Sequence, residues 1–189
     1  DKDVDLKYSF LAGFDSIEPY PSSIHDPPAS HVILADTPNV ARIGNVAKLI
    51  GKKARILNID HHASNVHFGA VNLVDEDACA TTELIFALAK ALKLRIDDEM
   101  ATQLYTGIMF DTGRFRYSSL HRAFPAAAAL LNLGADAASI AEAVYGQKTY
   151  QSVKILGQAL ASLELHFRGR IAIMTLPHIA IRLAADLDG

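Results

Sequence analysis

Cysteine is almost missing from this chain: Cys79 is the only one among 189 residues. No disulfide can therefore form within it, and a cysteine-rich zinc site is excluded. The same scarcity predicts a reducing, cytoplasmic setting. Long apolar runs are missing too. Half of the residues are hydrophobic, yet no run approaches the roughly 18–20 residues that span a bilayer. The charged opening "DKDVDLKY" has neither the basic start nor the apolar stretch of a secretory leader, so a soluble chain without membrane contact is expected. Nor is there a basic excess. With 18 Lys and Arg against 21 Asp and Glu, the formal charge is -3, too little positive field to hold nucleic acid by phosphate neutralisation alone. A nucleotide ligand would have to be held by a local site. The even mix of apolar and charged residues excludes a disordered or fibrous chain, and there is no internal repeat or low-complexity tract.

What is present reads as alternating strands and helices. Residues 18–30, "EPYPSSIHDPPAS", are rich in Pro and Ser and predict a surface loop. "HVILAD" is a short apolar run ending in Asp36, and "TPNVARIGNVAKLIGKK" follows with turn residues, apolar positions at helical spacing and Gly51 as a stop. "ARILNID" repeats the strand pattern and ends in Asp60, and "CATTELIFALAKALKL" again has helical periodicity. Two successive β-α units predict an α/β fold with a parallel sheet covered by helices. "DDEMATQLYTGIMF" predicts a helix capped by Asp97 or Asp98, leading into Asp111. Three further helical stretches, "HRAFPAAAALLNLG", "DAASIAEAVYG" and "YQSVKILGQALASLEL", form a helical segment, after which "GRIAIMTL" returns to strand character.

Ligands of open parallel sheets bind beyond the carboxyl ends of the strands, where Asp36 and Asp60 both fall. Either acid alone could be a helix N-cap. The stretch "ILNIDHHASNVHFG" is harder to explain structurally, because Asp60 is followed at once by His61 and His62. Neighbouring side chains on an extended segment point opposite ways. One imidazole would therefore face a metal while the other contacts substrate or orients the ligands. A mixed Asp/His set suits Mn, Fe or Zn better than Ca or Mg. The third element is "GIMFDTGRFRYSS", with Asp111 followed by Arg114 and Arg116. Asp-Thr-Gly also introduces the catalytic acid of aspartic proteases, but that fold is all-β and the flanks here have helical period. The plain alternative is a tight turn with exposed arginines.

Taken in order, Asp36 in "VILADTPNVARIG", the triplet Asp60-His61-His62, "ATTEL", Asp111 in "FDTGRFRYSS", "NLGAD" and "SVKILGQAL" resemble the DHH phosphoesterase superfamily. The likeness is strongest to its NrnA-type branch of bifunctional oligoribonucleases and 3′-phosphoadenosine 5′-phosphate phosphatases, whose relatives are called exopolyphosphatase-related. The resemblance implies hydrolysis of short RNA or nucleotide substrates by two-metal activation of water, with two Mn²⁺ ions in the complete enzyme. By the same resemblance Asp36 bridges the two ions, and His61 and Asp111 hold one of them. Asp60 is a ligand or a supporting partner, and His62 approaches the substrate phosphate. Arg116 is a physical candidate for a phosphate contact. Family members are often dimers, which implies a homodimer. The family's first Asp-x-Asp motif and its glycine-rich associated domain have no match here, since Asp1, Asp3 and Asp5 read as a solvated acidic run and "DLDG" as the start of a linker. Residues 1–189 are thus expected to be the central part of a longer enzyme. The other readings are a polyphosphate, pyrophosphate, cyclic-dinucleotide or single-stranded DNA hydrolase of the same superfamily, or a non-catalytic nucleotide-binding module.

Overall fold

The structure, a computed structural model, describes residues 6–17, 28–117, 119–146 and 148–178. The acidic run of Asp1, Asp3 and Asp5, most of the Pro- and Ser-rich loop and the closing "DLDG" lie outside the described residues. The chain divides into two units, Asp1–Ala141 and Glu142–Gly189.

In the first unit, β1 (Ala29–Ala35), β2 (Ile50–Asp60) and β3 (Val71–Val74) form a parallel sheet in that order. Helices flank it, so the expected α/β class holds. The register places Ala35 opposite Ile59 and Asp60 opposite Val74, and the Asp36 N–H donates to Ile59 O at 3.0 Å, carrying the β1–β2 ladder one residue further. The strands therefore finish level, and the segments that leave them gather at one edge.

Three long helices of this unit pack near the sheet: α1 (Thr81–Ala91), α2 (Asp98–Asp111) and α3 (Leu120–Asn132). Ile59 at the end of β2 packs with Ala78 and Leu84, and Leu57, Leu73, Ile85 and Leu88 surround them. Burying a side chain such as Ile59 or Leu84 contributes about 1.5–3 kcal/mol, and this fixes α1 against the strand ends. Asp97 caps α2 as expected, accepting from the Met100 N–H at 2.9 Å. The buried positions of α2, Ala101, Tyr105, Ile108 and Met109, keep the spacing of one helical face. α2 packs against α3, where Ala123, Ala127 and Leu130 are buried and the small residues permit close packing. Gly107 permits the same against α1, since a Cβ there would lie 2.4 Å from Cγ2 of Thr82.

Several local expectations need correction. The helix expected after β1 is a 3₁₀ segment, Val40–Leu49, broken at Gly44 by φ 55° and ψ -132°. Gly51 does not stop it but lies inside β2, where a Cβ would come within 2.9 Å of Ala29 O. Glycine is needed there because two backbones approach closely at an irregularity in the β1–β2 register. The four-residue β3 is too short for an alternating pattern, and the sequence reading contains no strand there. "DAASIAEAVYG" is not one regular helix: α4 (Ala137–Ala141) closes the first unit, and Glu142–Gly146 is wound as a π-helix. In the second unit, α5 (Tyr150–Ala161) ends before "LEL", and β4 (Glu164–His166) pairs antiparallel with β5 (Ile171–Ile173). Among the described residues, no single helix is long and apolar enough to cross a membrane.

Candidate active site

Asp36 follows β1 directly, with φ 57°. A non-glycine residue in the left-handed region is uncommon, and aspartate tolerates it better than most. This conformation ends the strand and turns the chain, leaving the carboxylate at the sheet edge. His61 and His62 leave the end of the adjacent strand β2, and Asp111 is the last residue of α2. Three elements distant in sequence thus deliver their polar ends to one place.

His61 stands at the centre. Its Nε2 lies 3.6 Å from Asp36 Oδ1 and 3.6 Å from Asp111 Oδ2. Its other nitrogen, Nδ1, is 3.2 Å from the carbonyl oxygen of Ala78. A carbonyl only accepts, so Nδ1 carries a hydrogen, and Nε2 is the ring nitrogen that faces the two carboxylates. A hydrogen bond on the far nitrogen is how proteins set a ligating imidazole. Asp36 is steadied in turn by Thr81 Oγ1, which donates to its Oδ1 at 2.8 Å. His62 joins the group, with Nδ1 3.9 Å from Asp36 Oδ1. Ligating atoms of Asp36, His61 and His62 all lie within 4.8 Å of one another.

The charge balance of this cluster favours a cation. Burial and the neighbouring charge of Asp36 push the Asp111 carboxyl above its ordinary value, against the pull of His61 and His62. Asp111 also ends a helix, where the macrodipole is negative and a carboxylate is poorly placed. Two carboxylates and an oriented imidazole nitrogen form a donor set suited to a divalent transition ion. The residues present therefore fit a metal.

Asp60 is not part of this group. It is fully buried, and its two oxygens meet His62 Nδ1 at 2.7 Å and Asn65 Nδ2 at 2.6 Å. Burial opposes its ionisation, but the hydrogen bonds from His62 and Asn65 outweigh burial and hold the carboxyl below the ordinary aspartate range. Of the two roles left open for Asp60, the geometry matches that of a partner orienting His62. With Nδ1 so engaged, His62 has Nε2 left for a ligand, on a side chain about one-third exposed.

The sequence reading did not single out the polar groups behind Asp60. Asn65 Nδ2 also donates to Asn58 Oδ1 at 2.8 Å, and Asn65 Oδ1 accepts from the His67 N–H at 2.7 Å. Asn58 is fully buried and donates to the carbonyls of Thr37 at 3.1 Å and Leu34 at 3.3 Å. An amide inside the apolar run "RILNI" was the available signal, because a buried polar side chain needs partners.

Beyond Asp111 the chain turns sharply. Thr112 is fully buried, and its hydroxyl donates to Ile108 O at 2.7 Å. Gly113, Arg114 and Phe115 then have φ of 55°, 65° and 58°, three left-handed residues in succession. Arg116 is exposed in this turn. Asp111 lies on a helix in an α/β unit, which removes the aspartic protease reading.

The family described as "DHH family, N-terminal domain" matches residues 2–108. Among similar proteins, the "Bifunctional oligoribonuclease and PAP phosphatase NrnA" of Thermus thermophilus is 30% identical over 156 residues, 82% of this chain and 46% of that protein. A "Probable bifunctional oligoribonuclease and PAP phosphatase NrnA" of Streptococcus mutans is 32% identical over 167 residues, 88% of this chain and 51% of that one. The chain thus spans about half the length of these relatives. Among solved structures, an exopolyphosphatase-related protein from Bacteroides fragilis superposes with a TM-score of 0.74 at 24% identity, covering 83% of this chain and 47% of that one. That likeness speaks to the fold.

Proposed function

Because the chain belongs to the DHH family, we propose that it serves a metal-dependent phosphoesterase that hydrolyses short oligoribonucleotides and 3′-phosphoadenosine 5′-phosphate. The observation that carries this reading is the placement of His61 Nε2, 3.6 Å from each of two carboxylates, with its tautomer set from behind. The two relatives named as oligoribonuclease and PAP phosphatase support the substrate class.

In this reading Asp36, His61 and Asp111 hold a divalent cation, with Mn²⁺ the expected metal. Bound cations supply activation of water near neutral pH and neutralise charge on the phosphate oxygens. Asp36 is kept in place by Thr81. His61 presents Nε2 because Ala78 O retains the hydrogen on Nδ1. His62, oriented by Asp60 and Asn65, offers Nε2 to a substrate phosphate, and Arg116 in the turn after Asp111 adds a positive charge for the same group. A cytoplasmic location and a homodimeric state belong to the same proposal.

The test is release of mononucleotide from 5′-phosphorylated diadenylate by the full-length protein with Mn²⁺, beside its Asp111→Ala variant. Release by the parent that the variant loses is the expected result. A folded, metal-loaded parent that releases nothing overturns the oligoribonuclease reading and directs the search to inorganic polyphosphate.

A further inference from the structure

The segment between β3 and α1 touches the centre twice. Ala78 O sets the tautomer of His61, and Thr81 Oγ1 holds Asp36. Ala78, Cys79 and Ala80 are nearly or fully buried, so the segment is part of the wall behind the ligands.

One guanidinium, supplied by α3, grips this segment at both ends. Arg122 Nη1 donates to Asp75 Oδ2 at 2.7 Å, and its Nε donates to Glu83 Oε1 at 2.7 Å. Each carboxylate then passes the hold to the backbone. Glu83 Oε2 accepts from the Cys79 N–H at 2.7 Å, and Asp75 Oδ1 accepts from the Asp77 N–H at 3.0 Å. The Ala78 N–H donates to Asp75 O at 3.2 Å, and the Asp75 N–H donates to Asp60 O at 3.2 Å. The path from Arg122 to the imidazole is therefore continuous: guanidinium, Glu83 carboxylate, Cys79 amide, Ala78 carbonyl, His61 Nδ1. Short charge-assisted bonds from two nitrogens of one planar group fix direction as well as distance, which a single ammonium cannot reproduce.

We propose that Arg122 is a positioning residue of the metal centre, holding the Asp75–Glu83 segment so that Ala78 and Thr81 aim His61 and Asp36 at the cation. The proposal rests on the reading that Asp36, His61 and Asp111 bind that cation. Arg122 itself bonds to Asp75 and Glu83 and acts only through them. Mutating groups that orient metal ligands typically weakens metal affinity about 10- to 100-fold.

The experiment compares the full chain with Arg122→Lys and Arg122→Ala. Mn²⁺ affinity is read from the electron paramagnetic resonance of free Mn²⁺, and the His61 tautomer from nitrogen-15 imidazole spectra of the metal-free protein. A purely structural ion pair would leave the tautomer unchanged in a folded variant. The expected result is that Arg122→Lys keeps the folded circular dichroism of the parent, yet binds Mn²⁺ about 10-fold more weakly or worse and departs from the parent's His61 nitrogen-15 pattern. Parent-like affinity with an unchanged tautomer in folded Arg122→Lys overturns the proposal. If Arg122→Ala does not fold, Asp75→Asn takes its place and is judged by the same two readouts. A parent that binds no Mn²⁺ overturns the metal reading and this proposal with it. That failure is distinct from one in which the parent binds and the variants bind equally well.

Discussion

Replacing Asn65 by alanine isolates the energetics of the support behind His62. The change removes the amide that donates to Asp60 at 2.6 Å and to Asn58 at 2.8 Å, and the oxygen that accepts from His67 N–H at 2.7 Å. Asn65 belongs to no apolar core, so the cost is mainly that of stranded polar groups. A hydrogen bond to a charged group is worth about 1.5–3 kcal/mol, and a neutral one left without its partner in the interior about 1 kcal/mol. The sum, with the exposed His67 contact left out, is about 2.5–4 kcal/mol. For a chain of 189 residues, that lowers the melting temperature by about 5–16 °C at 2–4 °C per kcal/mol. The sign with pH follows from Asp60, whose carboxyl is held below its ordinary value in the fold by His62 and Asn65 in spite of burial. A depressed folded-state value contributes stability that is present above the unfolded value and lost as pH falls through the folded one. Removing Asn65 raises the folded value. The gap between parent and variant is therefore fully present above about pH 5 and narrows toward pH 3. Urea unfolding followed by circular dichroism at pH 7 and pH 4 measures it. A gap below about 1 kcal/mol at pH 7, or one that widens on acidification, refutes the reasoning.

Two other outcomes are expected. At pH 7, metal-free Asp111→Asn is at least as stable as the parent, because burial and the charge of Asp36 disfavour the ionised Asp111 in the fold, and a carboxyl with a raised folded-state value costs stability once ionised. Mn²⁺ raises the melting temperature of the parent but not of the variant, and thermal melts with and without metal decide the matter; a lower metal-free midpoint for Asp111→Asn counts against this. Cys79 is fully buried, and burial with the nearby Glu83 pushes its thiol up to about 12. Iodoacetamide at pH 8 therefore leaves the native protein unlabelled and modifies it in urea, whereas fast labelling of the native protein speaks against a buried thiol.

The parts of this protein that were legible in the sequence are those whose cause is local. The acids at the ends of "HVILAD" and "ARILNID", the apolar spacing of α1, α2 and α3, and the cap at Asp97 each depend on a few neighbouring residues. The missed parts depend on residues far along the chain. β3 is a strand because Leu57 to Asp60 lie beside it, which four residues cannot announce. Gly51 has the look of a helix stop and is required instead by the nearness of Ala29. The chemistry-bearing triplet was readable as adjacent letters, but the separate duties of Asp60 and His61 were not. Those follow from Asn65, which donates to Asp60, and Ala78, whose carbonyl accepts from His61, bonds made only once the loops have closed. Arg122 acts on Asp75 and Glu83 from 47 and 39 residues away, beyond the reach of any periodicity.

The level ends of the parallel strands also bear on the order of assembly. Asp36, His61 and Asp111 belong to three different elements, and β1 can reach β2 only through a crossover, never through a tight hairpin. Local helix formation in α1 or α3 brings none of these three residues together. Contacts between distant segments are the slow step of folding. If these three residues hold a cation as proposed, its uptake during refolding keeps time with the long-range pairing of the sheet, and a chain rich in helix but unpaired in its strands binds none.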